Sequence, residues 1–207
     1  DLGVHFDGYI ADTATTVDLG DHALLVEASE SALSAAIQQV KAGSPIIGIG
    51  RAIQEEIEKR GYRPIANLTG HGLGRYQIHT DPHIPNIASG SGSPVPDGLV
   101  FAIEPFATTG SGMVSEGRRT EIYQQVAVKP VRLPAARRLL DQVRDRKGLP
   151  FARRWMESDK LDLALSTLVR GGVLHGYPVL HDVAGSLVSQ HEHTMVVLDG
   201  ECIVTTA

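Results

Sequence analysis

Residues 1–20 read DLGVHFDGYIADTATTVDLG. Polar and apolar side chains alternate along this stretch, which is the period of a half-buried strand. The dipeptide Asp7-Gly8 interrupts it and is a strong signal for a two-residue hairpin turn. The reading is two antiparallel strands, one ending near His5 and one running from Tyr9 to Val17. Each carries an aspartate, Asp1 and Asp12. Neighbouring antiparallel strands can hold such side chains close together on one face. Two carboxylates so placed repel unless a cation sits between them. Taken singly, Asp1 also reads as an exposed terminal residue and Asp12 as a strand-edge charge.

Beyond the hairpin, Asp21 is expected to cap a helix from about His22 to Lys41, ended by Gly43. Leu24, Leu25, Ala28, Ala32, Ala35, Ala36 and Val40 fall near one face of it. A second helix is expected from Ile49 to Arg60, stopping at Gly61 and supported by Glu55 and Lys59, four residues apart. Residues 64–96 are rich in Gly, Pro, Ser, Asn and His, a composition of loops and short strands. Leu99 to Thr108 reads as one buried strand and Ile122 to Val128 as another. Three helical patterns follow, LPAARRLLDQVRDRKG, PFARRWMES and KLDLALSTLVRGG. Strands return at 184–190, 192–198 and 201–205, with Asp199-Gly200 as a further hairpin turn. The chain therefore divides into a core of residues 1–132, an inserted helical subdomain at 133–175, and core strands at 176–207.

Composition narrows the function classes. The 207 residues are 42% apolar, enough to fill a core. A formal net charge of -5 argues against a binder that works by neutralising phosphates. Cys202 is the sole cysteine, so no internal disulfide forms and a reducing compartment is the natural setting. No stretch approaches the roughly 20 apolar residues that span a bilayer.

Four further residues stand out. His71 lies in NLTGHGLG, where glycines let backbone approach closely and leave an imidazole unobstructed. The same loop lacks the Lys and Ser/Thr of a phosphate-binding P-loop. A loop histidine is also commonly structural or exposed. His79 follows in IHTDPHIP and can flank the same cavity. Glu104 sits inside the apolar run LVFAIEPF, where a glutamate is seldom buried without a partner or a metal; a buried salt bridge, or a strand end reaching solvent at Pro105, is the plainer reading. Glu192 heads the strand HEHTMVVL; alternation turns His191 and His193 one way and Glu192 inward with Thr194. Asp1, Asp12, His71, Glu104 and Glu192 together offer four carboxylates and one imidazole. That set suits two adjacent divalent ions in mostly oxygen coordination.

The order of these segments carries a resemblance. DLGVHFDGYIADTATTVDLG, NLTGHGLGRYQIH with HIPN, AIEPF and HEHTMVV resemble, in order and detail, the methionine aminopeptidases of the pita-bread metallohydrolases. The version resembles the type 2 enzymes, through NLTGH, IPNI and the helical block holding VRLPAARRLL and LPFARRWM between Glu104 and Glu192. The resemblance implies an α+β pita-bread (creatinase/aminopeptidase-like) fold, here its C-terminal portion with an inserted helical subdomain.

It further implies a methionyl aminopeptidase that removes initiator methionine from nascent chains. The implied metal ligands are Asp1, Asp12, His71, Glu104 and Glu192, holding two divalent ions (Co, Mn, Fe or Zn). Asp12 and Glu192 would bridge the ions, Asp1 would complete one shell, and His71 and Glu104 the other. Glu104 would also serve as base and His79 would contact the scissile peptide. Ile78 and Tyr177 resemble residues lining a methionine pocket.

The implied partners are polypeptide N-termini with methionine before a small residue, and the ribosome. No membrane and no specific nucleic acid are expected, and the setting is a cytoplasmic monomer. The family's upstream catalytic histidine has no counterpart here, so the chain is expected to be an N-terminally truncated fragment, weakly active or inactive alone. Prolidase or aminopeptidase P chemistry is the catalytic alternative. A non-catalytic pita-bread protein that binds RNA or protein is the other.

Overall fold

Asp7 and Gly8 both take positive φ, 47° and 86°, and close a hairpin of β1 (Leu2–Phe6) and β2 (Tyr9–Thr13). That backbone is the one whose twist matches the flanking strands. Gly8 is required twice over: a Cβ there would stand 2.4 Å from the Tyr76 ring. The turn is pinned from outside. Tyr76 N–H donates to the Gly8 carbonyl at 2.8 Å, and Arg75 Nε donates to the Asp7 carbonyl at 2.9 Å. The second strand is shorter than its alternation predicts, because after Thr13 the chain leaves its partner and pairs only through Ala14 with Glu192.

The computed structural model describes residues 1–90 and 92–207, which form two units, Asp1–Ser115 with Asp182–Ala207, and Glu116–His181. In the first unit α1 (Ala23–Ile37) and α2 (Ile46–Lys59) pack together, and β3 (Arg63–Pro64), β4 (Thr69–Gly74), β5 (Gln77–Pro85), β6 (Val100–Ile103) and β7 (Phe106–Thr108) follow.

In the second unit β8 (Ser115–Gln125) sits between β9 (Phe151–Ala152) and β10 (Leu174–His181) in a three-stranded sheet, with α3 (Pro134–Val143) and α4 (Leu161–Arg170) packed together. The chain then re-enters the first unit as β11 (Val188–Gln190), β12 (His193–Leu198) and β13 (Glu201–Val204). The first unit holds a five-stranded antiparallel sheet, β13-β12-β6-β4-β5, and a three-stranded one, β11-β7-β3. Its core is built by Leu25, Ala28, Ala32, Ile49, Ile53 and Ile57 from the helices against Ile84, Phe101, Ile103 and Met195 from the strands.

Several local expectations are corrected. Helix α1 is capped at His22, not Asp21; the Asp18 carboxylate instead accepts the N–H groups of Gly20 and His22 at 2.9 and 2.8 Å. The helix ends at Ile37, four residues short of Lys41, because Gln39 and Val40 turn their N–H groups back to the carbonyls of Ala36 and Ile37. Helix α2 starts at Ile46, directly after Pro45, which supplies an extended N-cap. Lys59 pairs with Glu56 at 3.7 Å rather than with Glu55.

The expected strand from Leu99 to Thr108 is two strands in two different sheets, parted at Glu104-Pro105. Pro105 has no N–H to give a ladder, so the chain changes sheets there. The expected strand at Ile122–Val128 is the end of β8, which spans Ser115–Gln125 and stops three residues earlier. PFARRWMES is not helical over its first half. Phe151 and Ala152 pair with Tyr123 and Ile122, and only a 3-10 turn, Arg153–Trp155, follows.

The second unit is also wider than the helical block at 133–175. Its core joins Ala136, Leu139, Val143, Ala164 and Leu168 of the helices to Phe151, Val173 and Leu174. Among the described residues no helix is long and apolar enough to cross a membrane.

Candidate metal centre

Four of the five expected ligands arrive from four separate places in the first unit. Asp12 comes from β2, facing Gly3 across the hairpin. His71 comes from β4, flanked by two glycines that the packing requires. A Cβ on Gly70 would stand 2.3 Å from the Ala102 carbonyl, and one on Gly72 would stand 2.3 Å from the Asp81 carbonyl. Glu104 sits in the break between β6 and β7. Glu192 lies between β11 and β12, fixed by a reciprocal backbone bridge to Ala14 and by the Thr13 hydroxyl, which donates to its carbonyl at 2.9 Å.

These residues converge. Asp12, His71 and Glu192 each offer a ligand atom, and the three atoms lie within 4.8 Å of one another. All three residues are buried. His71 Nε2 is 3.9 Å from Asp12 Oδ2 and 3.4 Å from Glu104 Oε1. Its Nδ1 faces the Gly72 carbonyl at 3.3 Å. A carbonyl only accepts, so a proton on Nδ1 satisfies this contact and leaves the Nε2 lone pair toward the carboxylates, the arrangement of a metal-ligating imidazole. Asp1 is exposed at the rim, where the side-chain amide of Gln190 reaches its Oδ2 at 3.4 Å and Glu104 Oε2 at 3.4 Å.

The electrostatics of the cluster are those of a site built for a cation. Burial, and then the neighbouring Asp12 charge, push the Glu104 carboxyl up to about 8. Burial, then Glu104 and Asp12, push Glu192 up to about 9. Burial raises Asp12 too, against a hydrogen bond from the Thr13 N–H. Burial and then the His79 charge bring His71 down to about 4, which keeps its imidazole neutral. Carboxylate charges on Asp12 and Glu192, whose ligand atoms lie within 4.8 Å, would repel by roughly 3 kcal/mol or more at an effective dielectric of about 20.

The sharpest sign is Glu192 Oε2, which is buried and has no hydrogen-bond partner. An orphaned carboxylate oxygen costs about 1–3 kcal/mol or more unless something coordinates it. Oxygen donors with one neutral imidazole fit a divalent metal ion.

The remaining expected residues are placed as follows. His79, on β5, meets His71 edge-on with ring centroids 4.4 Å apart. Ile78 is half-buried beside it on the same strand. Tyr177 belongs to the second unit, on β10, where its hydroxyl donates to Gln124 Oε1 and its ring meets His175 edge-on. His191 is buried, with Nδ1 2.8 Å from Ser29 Oγ, and His193 Nδ1 is 3.0 Å from Thr206 Oγ1; both thus have partners outside the cluster. Gln190 was invisible in the sequence, since nothing local marks an amide as a bridge between two distant carboxylates.

Three comparisons with known proteins bear on this centre. The model of metallopeptidase family M24 matches residues 1–133. The methionine aminopeptidase of Archaeoglobus fulgidus is 50% identical over 207 residues, covering all of this chain and 71% of that protein. The methionine aminopeptidase of Pyrococcus horikoshii is 49% identical over 213 residues, covering all of this chain and 72% of that protein.

Among solved structures, a thermophilic Arx1 superimposes with a TM-score of 0.82 at 18% identity, over 96% of this chain and 63% of that one. The methionine aminopeptidase of Thermotoga maritima does so with a TM-score of 0.64 at 22% identity, over 98% and 60%. These two share the α+β pita-bread fold. With 50% identity along its whole length and a buried cluster of carboxylates around one imidazole, the chain belongs to metallopeptidase family M24, among the methionine aminopeptidases.

Proposed function

We propose that this chain carries the catalytic metal centre of a type 2 methionine aminopeptidase, which removes the first residue from polypeptides that begin with methionine followed by a small residue. The observation that carries the reading is the buried convergence of Asp12, His71 and Glu192 within 4.8 Å, with Glu104 3.4 Å from the same imidazole. Two divalent ions bound there would supply Lewis acidity and an activated water. Asp12 and Glu192 would serve both ions. Asp1 would complete one shell, and His71 with Glu104 the other.

Glu104, 3.4 Å from the His71 imidazole, would accept the proton of the attacking water. His79 would donate a hydrogen bond to the oxygen of the peptide being cleaved, a reading supported by its edge-on contact with His71. The type 2 assignment rests on the second unit, residues 116–181, which lies in sequence between Glu104 and Glu192. A single cysteine fits a reducing, cytoplasmic setting. Nascent polypeptides are the matching substrates, which places the ribosome among the partners.

The test is cleavage of Met-Ala-Ser, with added Mn(II) or Co(II), by the full-length protein that carries this chain. Release of methionine at least ten-fold above the Glu192→Ala variant, with Met-Leu-Ser spared, is the expected result. Equal rates for the two proteins, or preference for an Xaa-Pro bond, would refute this assignment.

A further inference from the structure

Gln190 ends β11, and its backbone is held with unusual completeness. Its N–H donates to Thr16 Oγ1 at 2.8 Å, and the same hydroxyl donates to the Gln190 carbonyl at 2.8 Å. Across the ladder it pairs with Phe106, two residues beyond Glu104. The strand register and the Thr16 clamp therefore fix where its side chain begins. That side chain reaches back to the metal cluster. Nε2 lies 3.4 Å from Asp1 Oδ2 and 3.4 Å from Glu104 Oε2.

The chemistry of the contact is selective. Carboxylates that ligate a metal are acceptors only, so the amide must present its NH2 group, which has two hydrogens for two oxygens. A lysine or arginine here would also reach the carboxylates, but its charge would compete with a divalent ion. A glutamate would add a further negative charge to a cluster that is already repulsive. A neutral amide donates without doing either. The two oxygens of Glu104 are thereby divided: Oε2 faces Gln190 and Oε1 faces His71 Nε2 at 3.4 Å. Asp1 has Gln190 as a tether to the same group.

We propose that Gln190 is a positioning residue of the metal centre: its amide ties Asp1 to Glu104 and leaves Glu104 a single oxygen, Oε1, to give to the metal. The inference rests on the metal reading above. Outer-shell partners of this kind change metal affinity by about 10–100-fold when removed.

The experiment compares the whole chain with its Gln190→Met and Gln190→Ala variants. Met keeps the length and removes the donors, while Ala removes the side chain. Mn(II) affinity is measured by titration calorimetry, and the ligand field by the visible absorption of the Co(II) form. Thermal unfolding of the metal-free proteins reports the fold.

The expected result has three parts. Both variants unfold within a few degrees of the parent, bind Mn(II) about ten-fold or more weakly, and shift the Co(II) bands. If the parent binds metal and both variants match it in affinity and spectrum, the positioning role is wrong and the metal reading stands. If the parent itself binds no Mn(II) or Co(II), both fall together. Loss of affinity in Ala but not in Met would also refute the role, since it would trace to packing and not to the amide.

Discussion

The hydroxyl of Thr194 holds both backbone polar groups of Asp12: it donates to the Asp12 carbonyl at 2.8 Å and accepts the Asp12 N–H at 2.8 Å. Thr194 and Asp12 are both buried, and 182 residues separate them. This clamp seats a candidate ligand from β2 against the strand that follows Glu192. Thr194→Val keeps the shape and removes the hydroxyl, leaving a buried N–H and a buried carbonyl unsatisfied. Each such orphan costs about 1–3 kcal/mol. Urea unfolding is expected to show a loss of about 2–4 kcal/mol, with Thr194→Ser close to the parent. A Val variant as stable as the parent would show that the clamp carries no weight.

Glu192 has an oxygen without a partner, and metal should supply one. Glu192→Gln retains the volume and removes the ligand charge. Mn(II) affinity is expected to drop about 100-fold or more, while the metal-free form melts within a few degrees of the parent. In the parent, metal at about 100 times its dissociation constant should add about 2.7 kcal/mol of stability. Thermal melts with and without Mn(II) check both statements. A rise in melting temperature on adding Mn(II) that is equal in parent and variant would contradict them.

Gly70 precedes His71, and a Cβ at this position would meet the Ala102 carbonyl of β6 at 2.3 Å. A backbone carbonyl in a paired strand cannot swing aside as a flexible side chain would. Gly70→Ala should therefore force β4 and β6 apart, cost about 1–3 kcal/mol and displace His71. Gly92→Ala, where a Cβ meets nothing within 4 Å, serves as the control and should change stability by less than about 0.5 kcal/mol. Chemical denaturation of the two variants side by side decides it.

Asp182 fastens the segment between β7 and β8 to the chain re-entering the first unit. Its carboxylate accepts Thr108 Oγ1 at 2.8 Å, Ser111 N–H at 3.0 Å, Gly112 N–H at 3.2 Å and its neighbour Val183 N–H at 2.6 Å, together with the Ser111 hydroxyl. Burial alone would raise this carboxyl. The hydrogen bonds from Ser111, Val183 and Thr108 outweigh burial and hold it well below the ordinary 3.8. A carboxyl depressed by folding contributes stability above its unfolded value and loses it as pH falls through the folded one. Asp182→Asn should therefore be less stable than the parent by about 1–3 kcal/mol at pH 7. The gap should hold down to about pH 5 and narrow below about pH 4. A gap unchanged at pH 3 would mean that the carboxylate charge is not its source.

The chemistry of the centre was legible in the residue types, because carboxylates in apolar or strand contexts are costly without a cation and a glycine-flanked histidine is an unobstructed ligand. The hairpin was legible too, since Asp7-Gly8 and Asp199-Gly200 both adopt the positive φ values that the dipeptide favours. These are local properties, written in a few adjacent residues.

The breaks were less legible. One apolar run became two strands in different sheets at Glu104-Pro105, and only that change of sheet brings Glu104 to 3.4 Å from His71. Strand periodicity could not show it, because it records which residues are apolar and not which sheet each one joins. The Asp12–Thr194 clamp, the Gln190 bridge and the Asp182 fastening were decided by tertiary structure alone. Each is a hydrogen bond between residues at least 70 positions apart, and its geometry exists only once the intervening chain has closed. The sequence by itself determined which atoms could hold a metal; the fold determined which of them meet, and how firmly each is held.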